Sequence, residues 1–206
     1  MKSKRKSELT VQAPLGETTV LLHTCCAPCS SAIIEAMLKS GITPVIYYCN
    51  PNIYPQAEYE IRKDECTRYA RSLGLEIIDA DYDHDDWLEA VRGLENEPER
   101  GGRCLRCFKL RLLRTAEYAA QRGIKVIATT LASSRWKSLD QINEAGQWAC
   151  DEAGRCISGT AVPPVWWSHN WRKGGLQERR LQIIKEYDFY NQQYCGCEFS
   201  MNNKVV

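Results

Sequence analysis

Nowhere in these 206 residues does an apolar run approach the roughly 18 that a membrane-spanning helix requires. The basic opening, MKSKRKSELT, lacks the apolar stretch that would follow it in a secretory signal. A soluble, cytoplasmic chain with no membrane partner is therefore expected, with residues 1–16 as a basic tail. Internal repeats and linker-like segments are absent too, so residues 17–200 should form a single α/β domain followed by a short tail at 201–206. Nor is charge of either sign in excess: 27 Lys and Arg stand against 26 Asp and Glu, a net +1. That excludes binding a polyanion by bulk charge. Any nucleic-acid partner must be held by local patches, of which the basic ERGGRCLRCFKLRLLR is one.

What the chain does have is cysteine, eleven in all. Without an export signal these are not a disulfide framework, because the cytosol keeps thiols reduced; they are ligands, catalysts or core. Cys25, Cys26 and Cys29 crowd into LLHTCCAPCS, just after a β-branched apolar run. At a strand-to-helix turn, free N–H groups stabilise thiolates or the negative charge of a cluster. Taken alone, CAPC resembles a thioredoxin-like disulfide motif. Combined with Cys104 and Cys107, a C-x-x-C at a helix start, the stretch offers enough sulfur for an iron–sulfur cluster or a structural zinc. In YCGCEFS a single glycine separates Cys195 from Cys197. That spacing suits a labile redox pair, with half of a zinc ribbon as the alternative. Cys49 and Cys66 read as core, and Cys150 and Cys156 match no ligand spacing.

The segments alternate. Residues 18–23, 43–50, 75–82 and 124–130 read as strands, and residues 30–41, 57–73, 85–94 and 104–123 as helices. Two further helices are expected over 138–154 and 175–193, and Pro163-Pro164 bar a central strand between them. Such alternation implies a mainly parallel sheet with ligands at the carboxyl ends of its strands, where Cys25, Cys26, Cys29, Asn50 and Thr130 fall. Trp166, Trp167 and Trp171 read as core more readily than as a base-stacking platform. His23, next to the thiols, reads equally as a structural hydrogen-bonding residue and as a proton donor; Asp140 and Tyr194 are further candidate donors. Arg100, Arg103, Arg106, Lys109 and Arg172 are candidate phosphate contacts.

Five stretches in this order, LLHTCCAPCS, YYCNPNIYPQAEYEIRKDE, RCLRCFKLRL, TTLASS and YCGCEFS, closely resemble the QueH-type epoxyqueuosine reductases, cobalamin-independent enzymes of queuosine synthesis in transfer RNA. The resemblance runs from about residue 19 to residue 200. It departs at SSRWKSLDQI, where a proline would follow the second serine. It implies a Rossmann-like fold similar to adenine-nucleotide alpha hydrolases, with cysteines where those proteins carry a Gly-rich phosphate loop. It implies Cys25, Cys26, Cys104 and Cys107 as ligands of a [4Fe-4S] cluster, an additional mononuclear iron, and Cys195 and Cys197 as a redox-active disulfide. Spacing alone would pair Cys26 with Cys29, so Cys29 is kept as a reserve ligand. The partners implied are a transfer RNA carrying epoxyqueuosine at the wobble position and an unidentified electron donor. Two readings compete: a zinc-stabilised RNA-binding protein and a thiol–disulfide oxidoreductase.

Overall fold

The computed structural model describes residues 9–156 and 162–201. Five parallel strands form one sheet in the order β3-β2-β1-β4-β5: β1 (Thr19–His23), β2 (Thr43–Tyr48), β3 (Ile77–Asp79), β4 (Val126–Thr129) and β5 (Val165–Trp166). Around it lie six helices among the described residues: α1 (Ala27–Lys39), α2 (Gln56–Ser72), α3 (His84–Ala90), α4 (Gly102–Gln121), α5 (Leu139–Cys156) and α6 (Leu176–Tyr187). The architecture is α/β and Rossmann-like, with a helical C-terminal part. None of these helices is long and apolar enough to cross a membrane.

The chain runs outward from β1 to β2 and β3, then returns to the other side of β1 as β4. Right-handed crossovers therefore place α1 and α2 on one face and α4 and α5 on the other. Val20, Leu21 and Leu22 of β1 and all four residues of β4 are buried. This two-sided burial is why these strands read as continuous apolar runs rather than alternating ones. In register, His23 lies between Tyr47 and Thr129, so β1, β2 and β4 end at one level. Just beyond, where the strand order reverses, is the crevice such sheets use for ligands.

Several boundaries differ from the sequence expectation, each for a local reason. Helix α1 starts at Ala27 rather than Ser30, because Pro28 fits the first turn, where its missing N–H costs nothing. Cys29 is thereby inside the helix. Helix α6 stops at Tyr187, short of residue 193, where Asp188 turns left-handed at φ 50. The released segment, residues 189–200, crosses back over the sheet end. Strand β5, not expected, is two residues at the sheet edge directly after the proline pair, a position that tolerates proline. There a Cβ on Gly146 would fall 2.3 Å from the Trp166 ring, so only glycine lets α5 come this close. Residues 9–16, assigned to the tail, pack on the core through Leu9, Val11 and Ala13, and the Val11 N–H donates to Ser40 Oγ at 2.8 Å. Residues 1–8 of that tail and 202–206 of the other lie outside the described residues.

Candidate active site

Beyond β1, Thr24 still donates its N–H to Tyr47 O at 2.9 Å, and Cys26 then caps α1. This tight exit brings the sulfurs of Cys25, Cys26 and Cys29 within 4.8 Å of one another, with 3.8 Å between Cys25 and Cys26. The Cys25 N–H donates to Thr130 Oγ1 at 3.2 Å, tying the turn to the end of β4. Hydrogen bonds from the Cys26 and Cys29 thiols hold Cys25 well below the usual thiol range, and the same contact with Cys25 pushes Cys29 up to about 11. The trio thus concentrates negative charge on Cys25. Gln192 Nε2 donates to Cys26 Sγ at 3.1 Å.

The thiols of α4 sit at two depths. Cys104, in the first turn, accepts from the Arg100 N–H at 3.3 Å and lines the same cavity as Cys25 and Cys29. Cys107, one turn deeper, is buried with Trp87, Val91 and Cys197. Cys195 and Cys197 carry free thiols in unlike surroundings. Cys195 is exposed to the cavity and accepts from Lys137 Nζ at 3.1 Å, whereas burial pushes the Cys197 thiol up to about 12. Between them Gly196 has φ +110, and a Cβ there would meet Ile53 at 3.0 Å and Arg62 at 3.1 Å. Buried Arg62, paired with Glu58 at 2.7 Å, donates to the carbonyls of Tyr194 and Cys195, each at 3.3 Å. The Tyr54 N–H donates to Gly196 O at 2.9 Å. This segment therefore forms a fixed wall.

The cavity measures about 1000 Å³. Arg62 and Arg111 contribute from buried positions, and Arg100, Arg135, Lys137, Arg172 and Arg180 from more open ones, against a single carboxylate, Glu99. Apart from Arg62, none of these cations has a carboxylate within 4.0 Å among the described residues. Burial and the nearby Arg100 charge both lower the pKa of Arg172. A near-neutral protein thus gathers unneutralised positive charge at one place, where it can only favour an anionic ligand. Four thiols in the walls, those of Cys25, Cys29, Cys104 and Cys195, with Cys26 and Cys107 behind them, form a soft donor set that suits iron or zinc rather than a hard cation.

Sequence comparison adds the decisive observation. The family described as Epoxyqueuosine reductase QueH matches residues 20–203. Proteins named Epoxyqueuosine reductase QueH from Haemophilus influenzae and Histophilus somni are 45% and 44% identical over 193 residues, covering 94% of this chain and 76% of each relative. One from Acinetobacter baylyi is 43% identical over 199 residues, 96% of this chain and 87% of the relative. The chain belongs to the QueH family. The QueH match takes in every thiol described above.

Other expected site residues have different fates in this QueH chain. His23 is fully buried beneath the cavity: its Nε2 donates to Cys49 O at 3.0 Å, and Nδ1 takes the Thr129 hydroxyl at 2.7 Å. Burial lowers its pKa to about 3, so it is a neutral structural pin rather than an acid. Asp140 does not line the cavity; Tyr194 does, with its hydroxyl donated to Tyr54 O. Arg103, expected on phosphate, is only 2% exposed and donates inward to the carbonyls of Leu94, Glu95 and Glu97. Arg106 and Lys109 are engaged outside the cavity, by Ala90 O and Glu144, while Arg100 and Arg172 line it. Trp166, Trp167 and Trp171 are buried, as the core reading had them. Lys137, Arg62, Gln192 and Arg111 were missed. For Arg111, which donates to Cys49 O at 3.1 Å and reaches Cys107 Sγ at 3.9 Å, the signal was its position one helical turn after Cys107.

Proposed function

We propose that this protein is an epoxyqueuosine reductase, converting epoxyqueuosine to queuosine in the anticodon loop of a transfer RNA, the last step of queuosine synthesis, in the cytoplasm. The observation that carries the reading is one cavity, at the switch point of the sheet, that joins clustered thiols to unpaired cations. Opening an epoxide to an alkene releases its oxygen as water and consumes two electrons and two protons. The site must therefore hold an electron carrier, polarise the leaving oxygen and grip a polyanion.

Cys25, Cys26, Cys104 and Cys107 would hold a [4Fe-4S] cluster, with Cys29 in reserve; such a cluster supplies electrons singly at low potential. Cys195, open to the cavity, is the thiol placed to meet substrate or an external electron donor, and buried Cys197 is the partner that closes the pair when both are oxidised. Lys137 is held as a cation: burial alone would lower its pKa, but the charges of Cys195 and Cys25 outweigh it and raise it. With His23 locked and Tyr194 committed, Lys137 is the donor placed to hydrogen-bond the leaving oxygen. Arg100, Arg135, Arg172 and Arg180 hold the phosphates.

Anaerobic purification tests the reading. Brown protein with stoichiometric iron and sulfide, and conversion of epoxyqueuosine in transfer RNA under reducing conditions, is the expected result. A colourless zinc protein, or reduction of generic disulfides without iron, would favour the competing readings. RNA affinity should also fall steeply with salt, by about 0.7 in log K per log unit for each phosphate held on a single strand. Arg100→Glu and Arg172→Glu should flatten that dependence, while Arg106→Glu, outside the cavity, should leave it nearly intact. A salt titration of binding checks all three.

A further inference from the structure

Trp136 is 67% exposed, whereas Trp87, Trp166, Trp167 and Trp171 are each 7% or less and Trp148 is half-buried. One exposed apolar side chain is ordinary in itself. This one lines the cavity, and its backbone is fixed rather than loose. Arg100 donates through Nε to Trp136 O at 2.9 Å and through Nη2 to Arg135 O at 3.0 Å. Arg100 O in turn accepts from Gln141 Nε2 at 2.8 Å. The backbone at Arg135 and Trp136 is thus tied to Arg100, which Gln141 holds in turn. The Arg135 guanidinium lies 5.1 Å from the ring centroid, over one face. An aromatic surface backed by the Arg135 guanidinium, which has no carboxylate within 4.0 Å among the described residues, is matched by a ligand that is flat and π-rich yet carries negative charge close by. A base in a single-stranded nucleic acid has both properties; a lipid chain or an apolar peptide lacks the charge.

Resting on the transfer-RNA reading, we propose that Trp136 is a positioning residue that stacks on a nucleobase adjacent to the modified one, steadying the loop while the modified base enters the cavity among the thiols. It lies in the SRWK stretch, where this chain departs from the expected proline.

With the remaining tryptophans buried or half-buried, emission accessible to acrylamide comes chiefly from Trp136. Adding an anticodon stem-loop RNA should quench that emission and shield it from acrylamide. Trp136→Ala should weaken binding of the stem-loop about tenfold, and Trp136→Phe should restore most of it. Removing the stacked base, by an abasic nucleotide on one or other side of the wobble position, should weaken the native protein to the level of Trp136→Ala and cost that variant nothing further. The ring is exposed, so unchanged thermal melts should show that both variants fold. If the stem-loop binds while Trp136 stays accessible and Trp136→Ala binds equally well, stacking is overturned and the reductase reading stands. If no stem-loop or transfer RNA binds, both fail together.

Discussion

Protein in which Cys195 and Cys197 are both serine should stay brown and stop turning over. The two thiols lie on a wall that docks onto the body through Arg62 and the Tyr54 N–H, contacts made by backbone carbonyls that serine leaves in place. Cys195 meets Lys137 rather than the Cys25 trio, so its replacement removes a reacting sulfur without opening the proposed ligand set. Cys197 is the stricter test, because it is buried with Cys107. A serine there places a hydroxyl in an apolar site at a cost of about 1–3 kcal/mol, enough to lower the melting temperature without unfolding the domain. Iron and sulfide content should remain near the native value, and multiple-turnover conversion should fall to background. Loss of iron would make the pair ligands, and normal turnover would make it a bystander.

Replacing Cys104 by alanine should abolish the visible spectrum, whereas Cys29→Ala should leave most of it. The contrast separates two ways in which the sulfurs can be grouped. Geometry alone favours Cys25, Cys26 and Cys29, whose sulfurs lie within 4.8 Å of one another. The proposed cluster instead spans the cavity, from the Cys25-Cys26 pair at the end of β1 to Cys104 and Cys107 on α4. On that assignment Cys29 stands beside a ligand pair without being a ligand itself. Parallel iron, sulfide and zinc analysis of the two variants decides the matter. If Cys29→Ala loses metal while Cys104→Ala retains it, the compact trio is the metal site and the four-cysteine assignment is wrong.

The buried strands β1, β2 and β4 could be read from sequence because burial on both faces leaves unbroken apolar runs, and the turns after them already put the thiols at the sheet end. Other features depend on contacts distant in sequence. Arg103 sits in a basic stretch and looks exposed, yet loop carbonyls from residues 94–97 fold over it. Residues 189–193 continue a helical pattern, but the chain leaves α6 at Asp188 to reach Gly196's contact with Tyr54. Lys137 meets Cys195 across 58 positions, a pairing no local pattern encodes. The tryptophans offered the opposite lesson. The three tryptophans of the dense VWWSHNW run are interior, and the open ring is the isolated Trp136 in a stretch otherwise notable only for a missing proline.

The wall bearing Gln192 and Cys195 has a consequence in time as well as in space. It follows every other side of the cavity in the chain, so during synthesis Cys25, Cys26, Cys29, Cys104 and Cys107 leave the ribosome well before the segment that closes over them. Until that segment is made, a metal for the proposed centre would find these thiols uncovered. Loading then is unobstructed. In the finished protein a metal would reach them only through the cavity mouth, so reloading of the proposed centre should be slower than its loading during synthesis.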